Sequence, residues 1–456
     1  MSWGVATQNG VSVSLASIVS LSCGATEFSP YDLFTGGVQG AWYDPSDYST
    51  LFQDSTGTTP VTAVEQPVGR MLDKSGNNNH ALQATAASRP VLRARYNLLT
   101  YSEQFDNAAW TKSNAAVTAN ATTAPDGALT ADLLTPDATA AAFHLTSQSN
   151  ALLGATVISV YAKPNGYDKL AISVQFASVV VFDVTAGTVV SGGAAASIQS
   201  VGNGWYRCSY SFTRTGTSNI EIGVARQSDG AWVGWAPNGT SGIYIWGAQS
   251  NLGTSIGTYQ QIAAATSYNT VGFLPYLSLD GVDDSYSTSS INFAATDKMS
   301  GCIGLTKLSG AAEGIVAEHG VAGVNANADT ILSAPGNGGD GFYPFASSLR
   351  PYGGVWVAGA SPITVVASVA QNAAAGGSGA TNVTIRLNGA LPTQTPYFSS
   401  TSTAALGNYP LYIGRRNNAT LPLNGRLYQM VICGKALSAS ELASTEAYVN
   451  TKTGAY

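Results

Sequence analysis

Two tryptophans three residues apart stand in Asp229-Gly-Ala-Trp232-Val-Gly-Trp235-Ala-Pro-Asn238, a Gly/Pro-rich loop ahead of a strand pattern. Pyranose faces stack on Trp and Tyr while amides and carboxylates pair with sugar hydroxyls, so an exposed pair of this kind suits carbohydrate. The chain has 22 Tyr, 13 Phe and 8 Trp to draw on. A spacing of three does not put Trp232 and Trp235 on one strand face, and packing at a core edge is their other reading. Trp205 and Trp246 lie inside strand patterns and are expected in the core. Clustered carboxylates come next. Asp44 with Asp47, and Asp280 with Asp283 and Asp284, offer hard oxygens of the kind calcium takes from turns. Asp-Pro and Asp-Gly also make Asx turns unaided. No cofactor is expected, and calcium stays open.

Catalytic constellations are harder to find. A glycosidase needs two carboxylates flanking the scissile bond. Glu313 and Glu318 lie five apart, on opposite faces of an extended strand, and read as solvated surface groups. His80, His144 and His319 are the only histidines. His80 follows three asparagines in a turn and His319 sits at a strand end, where hydrogen bonding is the expected role. Gly376-Gly-Ser-Gly379 lacks the strand and helix of a nucleophile elbow. An enzyme is therefore not expected. Cys23, Cys208, Cys302 and Cys433 form no CxxC pair, which argues against zinc and thioredoxin-like chemistry and leaves four small buried hydrophobes.

The elements that position these residues follow from composition and pattern. The chain has 456 residues, and only 10% are charged, against roughly 25% in an average soluble domain. Helical surfaces are usually solubilised by Lys and Glu. An alphabet with 50 glycines instead suits short strands and tight turns, so the expectation is an all-β protein. A formal net charge of -6 argues against nucleic acid, and Arg89, Arg93 and Arg95 are too sparse for a phosphate footprint. No apolar run reaches the roughly 18 residues that span a bilayer, so no membrane insertion is expected. No Lys or Arg precedes the apolar stretch from Val11 to Leu21, so a secretory signal is not expected. One helix is expected near the C-terminus, where Ser438-Ala-Ser-Glu441 forms a capping box, Leu442, Tyr448 and Val449 share a face, and Gly454 stops it.

Several phrases, in order, resemble one family: Trp42-Tyr-Asp44, Asp73-Lys-Ser-Gly-Asn77, Arg89-Pro-Val-Leu92, Leu279-Asp-Gly-Val-Asp-Asp284, Tyr412-Ile-Gly414 and Leu437-Ser-x-x-Glu441. They look like the concanavalin A-like (laminin-G-like) jelly-roll domains of tailed-phage virion proteins. In that family the Arg-Pro-Val-Leu strand is followed closely by the Asp-Gly-Val-Asp-Asp strand. Here about 180 residues intervene, and a surface loop accepts a whole domain at little entropic cost. The intervening text, with Asn97-Leu-Leu-Thr-Tyr101, Gly204-Trp-Tyr-Arg207 and Tyr244-Ile-Trp-Gly-Ala-Gln249, is similar to carbohydrate-binding-module-like sandwiches of phage appendages.

The resemblance implies two β-sandwich or jelly-roll domains, the second inserted into a loop of the first, plus one short C-terminal helix. Its boundaries are an N-terminal attachment arm at 1–32, a discontinuous jelly roll at 33–95 and 273–456, and an inserted sandwich at 96–272. It further implies a virion surface protein, assembled in the host cytoplasm, held to other virion proteins by the arm and displayed as a homo-oligomer such as a trimer. Weak multivalent adhesion to host surface glycans is the implied function, and a purely architectural role in capsid or tail is the alternative. Adhesion requires Trp232 and Trp235 to be exposed. The architectural role buries them against the jelly roll or a neighbouring subunit.

Overall fold

The computed structural model describes residues 28–320, 328–336, 341–346, 353–359, 361–372, 383–398 and 406–456. The expected arm therefore lies, up to residue 27, outside the described residues, as do Cys23 and Gly376-Gly-Ser-Gly379. The protein is all-β, with antiparallel sheets and a C-terminal helix, Ala439–Thr453.

One sheet has Asn424–Cys433 at its centre, flanked by Lys298–Lys307 on one side and by Tyr276–Asp280 and Gly40–Tyr43 on the other. Val91–Arg93 completes that edge by pairing with Tyr276–Asp280. A second sheet contains Tyr286–Asn292, Asn408–Ile413 and Ile315–Gly320. The core between the two sheets holds Leu92, Leu277, Leu279, Ile303, Leu305, Ile413, Leu427, Met430 and Ile432. Alternation explains the choice of residues. In Lys298–Lys307, Met299, Ile303 and Leu305 face this core, while Cys302 faces the helix. Each fully buried aliphatic side chain contributes about 1.5–3 kcal/mol.

The helix is written as the sequence indicates. Ser438 Oγ accepts the Glu441 N–H, Glu441 returns a bond to the Ser438 N–H at 2.8 Å, and Gly454 closes it at φ 62°. Val449 packs with Leu33, Phe34, Trp42, Val366 and Val431. The expected apolar face is narrower than drawn, because Leu442 and Tyr448 are half-buried.

Every strand from Thr111–Ser113 to Gly242–Leu252 pairs within a separate ten-stranded sheet. Here the local expectation needs correction. Residues 157–164, 205–212 and 220–224 each alternate like a short strand when read from the sequence, but they are segments of two long ones, His144–Asn165 and Trp205–Val224. These pair continuously from Tyr206↔Ala162 to Val224↔His144. Their ends belong to different layers. Val224 and its neighbours pair with Lys169–Val174, whereas Trp205–Tyr210 pair with Ala196–Gly202. Strands that switch layers make the corners of such sandwiches. Gly154 (φ 125°) and Gly216 (φ 96°) fall along the switch, where L side chains are strained. Trp205 and Trp246 are buried, as expected.

Candidate functional site

Two surfaces have the geometry of binding sites. The first lies on the outer face of the Lys169–Val174 layer. The hairpin joining this strand to Ser178–Asp183 turns at Val174–Ala177, with the Ala177 N–H donating to Val174 O at 3.1 Å. Gln175 and Phe176 occupy the central positions at φ 49° and 56°. That is the conformation of a type I′ turn, which favours Asn and Gly. A left-handed backbone costs about 1–2 kcal/mol per ordinary residue. The Phe176 N–H is held by Glu221 Oε2 at 3.0 Å. Glu221 is itself buried, and burial pushes its carboxyl above the usual range.

The strained turn presents an aromatic group. Phe176 is 52% exposed. Its ring lies 5.0 Å from Phe143 and 6.4 Å from Trp232, nearly parallel to the latter at 19°. Phe143 and Trp232 are 5.0 Å apart. Trp232 is half-buried and lies over Gly223, where any side chain would collide with its ring. Ala171, Val181 and Ala225 pave the sheet around it. Trp235 is half-buried too, but joins another cluster. It packs edge-on against His144 (5.8 Å) and Tyr167 (5.3 Å) and donates Nε1–H to Val224 O at 3.3 Å. Neither tryptophan is wholly exposed, and both pack on their own sandwich. The fold separates the sequence-defined pair and joins Trp232 to Phe143 and Phe176 instead.

The second surface is a cleft between the sheet of Asn424–Cys433 and the bend of the long strands. It has two lobes, of about 270 and 360 Å³, that share Leu252 and Arg426. The smaller is lined by Tyr96, Phe273, Asn251, Thr306 and Thr364, the larger by Glu65, Arg93, Arg95, Asn150 and Tyr276. Arg426 is fixed by register, with Ser278 and Thr306 as its Cα partners on either side. Only 8% of it is exposed. Its guanidinium lies over the rings of Tyr276 (4.5 Å) and Tyr96 (5.3 Å).

The remaining candidates have structural partners. Asp280, Asp283 and Asp284 bring their carboxylate oxygens within 4.8 Å of one another. Asp280 Oδ1 accepts the Val282 N–H, Asp284 Oδ2 accepts the Asp280 N–H at 3.0 Å, and Asp283 accepts from Ser88 Oγ. Burial, and then Asp280, push the Asp284 carboxyl up to about 7. Asp44 and Asp47 share Lys74, at 3.5 and 2.6 Å. In the Asp73-Lys-Ser-Gly-Asn77 turn, Asp73 accepts the N–H groups of Trp42, Ser75 and Asn79, and donates its own to His80 Nδ1. Glu318 corrects the solvated reading: it is buried and pairs with Arg416 at 2.7 Å. Glu313 is half-buried. His319 is fully buried beside Phe293, bonds Ile291 O at 3.1 Å, and is pushed down to about 4 by burial.

Phe176 and Arg426 escape the sequence reading. A turn without Gly or Asn between two strands is the visible sign of the first. A lone Arg inside Leu423-Asn-Gly-Arg426-Leu-Tyr-Gln-Met-Val431 is the sign of the second.

No family model matches the chain, and no curated protein matches it. Among solved structures it is similar to the botulinum neurotoxin serotype D ligand-binding domain solved with N-acetylneuraminic acid. That match has 13% identity over 43% of this chain and 47% of that one, with TM-score 0.28. The CBM22-1–CBM22-2 tandem domain of Paenibacillus barcinonensis Xyn10C matches at 11% identity, over 74% and 98%, with TM-score 0.22. Trypanosoma rangeli sialidase with the inhibitor DANA matches at 10% identity, over 84% and 68%, with TM-score 0.27. The chain spans about half the length of the neurotoxin domains. Sugar-related proteins are thus among its structural neighbours, each matched weakly.

Proposed function

We propose that the chain is a glycan-binding protein whose contact surface is the Phe143, Phe176 and Trp232 cluster, with Trp235 supporting the adjoining loop. One observation carries this reading: Phe176 is more than half exposed on a left-handed turn that a smaller residue would occupy at lower cost. Strain retained at an exposed aromatic group points to a contact made there. A sugar face can stack on the outer ring while the two inner rings keep it in place.

The finer reading is adhesion to host surface glycans from a phage particle. It is supported by the jelly-roll phrases at Trp42-Tyr-Asp44, Asp73–Asn77 and Leu279–Asp284. Several copies displayed together, as in a trimer, would raise a weak contact by about 10²–10⁴ in avidity. Two experiments test the two levels. A glycan array probed with the full chain tests sugar binding; no retention of any glycan, with active lectin controls, rejects it. Immunogold labelling of purified particles tests the virion placement. Label at the tail tip supports adhesion, label on the head supports decoration, and label on no particle removes the virion assignment.

A further inference from the structure

We infer that the cleft around Arg426 binds an acidic sugar through its carboxylate. The inference builds on the glycan-binding reading yet stands on different residues. A buried charge is costly unless paired, and Arg426 has no ion pair with any carboxylate among the described residues. Two tyrosine rings and a hydrogen bond to the Tyr428 hydroxyl hold it instead, which stabilises a cation without neutralising it. The charge around it is unbalanced. Glu65 is the one carboxylate lining the larger lobe, and it is shared between Arg93 Nε at 3.2 Å and the Tyr268 hydroxyl at 2.7 Å. Arg95 spends its donors on the carbonyls of Asn97, Leu98 and Ala265. Three guanidiniums thus face one carboxylate, in a chain whose net charge is -6. The Asn150 Nδ2 is buried there with no acceptor. Donors outnumber acceptors, so the complementary ligand is an anion.

The other lobe makes that anion a sugar. Tyr96 and Phe273 stand 5.8 Å apart at 33°, an apolar wall for a pyranose ring. Thr306 and Thr364, whose hydroxyls lie 2.8 Å apart, line the same lobe. Each lobe has a volume near the lower end, about 300 Å³, of small-molecule sites. Their junction at Arg426 places the carboxylate between a cationic half and an aromatic, hydroxyl-lined half.

The test titrates the full chain with trigalacturonate, maltotriose and sodium acetate by calorimetry. Trigalacturonate is expected to bind, maltotriose not to, and acetate to compete only weakly. Arg426→Met is expected to reduce trigalacturonate affinity about tenfold or more, the loss of one charge-assisted contact. The substitution also removes the contacts to Tyr96, Tyr276 and Tyr428, so its melting temperature is measured alongside binding. Acetate matching trigalacturonate would overturn the sugar assignment and leave a simple anion site. No response to either anion, or a melting temperature that falls in Arg426→Met with binding unchanged, would make Arg426 purely structural and overturn the inference. Phe176→Asn separates this cleft from the aromatic surface, since it should leave trigalacturonate binding intact even where array binding is lost.

Discussion

Replacing Phe176 by Asn tests whether the strained turn serves binding or folding. Asn tolerates the left-handed backbone, so the substitution relieves about 1 kcal/mol of conformational cost. Against this stands the loss of the ring's packing. Phe176 is 52% exposed, so about half of the 1.5–3 kcal/mol for full burial is lost, or roughly 1 kcal/mol. Its contacts with Phe143 and Trp232 add about 0.5 kcal/mol. The Glu221 bond to the backbone N–H is kept, because any residue supplies that donor. The terms nearly cancel, and stability should change by less than about 1 kcal/mol, a shift of a few degrees at most in melting temperature. Binding should behave differently. A central aromatic contact is worth about 2 kcal/mol or more, which is roughly 30-fold in affinity. Scanning calorimetry and the glycan array, run on the same preparations, measure both. A large fall in melting temperature with array binding retained would show that Phe176 is packing and nothing else.

Three further outcomes follow from buried groups. Asp284 holds a proton in the fold that the unfolded chain, at the ordinary value of 3.8, releases earlier; its contribution is full below about pH 4 and lost as pH rises to about 7. Asp284→Asn should flatten that decline, measured by urea unfolding across the range, and an unchanged slope would contradict the assignment. Burial pushes Cys302 and Cys433 up to about 12 and Cys208 further still, so alkylation of the native protein at mildly alkaline pH should spare all three and reach them only in concentrated guanidinium, as read by mass spectrometry. Gly304 faces the helix where a side chain would meet Thr453 and Val449; Gly304→Val should cost about 1–3 kcal/mol by overpacking and speed amide exchange along Ala439–Thr453.

Local chemistry made much of the architecture legible. The capping box at Ser438 and the stop at Gly454 depend on neighbours three or four residues away, so the helix is found where its sequence says. Asp73 shows the same locality, since its turn is closed by residues within seven positions apart from Trp42. Strand continuity was less legible. Residues 149–155 and 213–219 are mostly small or polar, with Leu152 and Leu153 the large apolar side chains among them, so little that is local announces that two strands run on between layers. The site was least legible, because its members meet only through pairing. Phe143, Phe176 and Trp232 come from three separate segments. Arg93, Arg95 and Arg426 converge because Tyr276–Asp280 pairs with strands from both ends of the chain. Trp232 and Trp235, three residues apart, part because the loop turns one ring onto the sheet face and the other onto His144.

The economy of charge links the two surfaces. A chain with 10% charged residues has few to spare, and it pairs several that it buries: Glu446 with Arg386 at 2.8 Å, Glu318 with Arg416 at 2.7 Å, and Asp44 with Lys74 at 3.5 Å. Pairing is what the low-dielectric interior demands. Arg426 departs from that pattern, with aromatic rings where a carboxylate would serve stability better. Phe176 departs from another, with a bulky side chain where Asn or Gly would serve the turn better. Each departure breaks a local rule, and each places the side chain at a surface or cleft. Local rules are broken where function requires it. The two departures differ in kind, one apolar and one cationic. A ligand that satisfied both would carry an unsubstituted sugar face and a carboxylate, a combination that an acidic polysaccharide provides along a single chain.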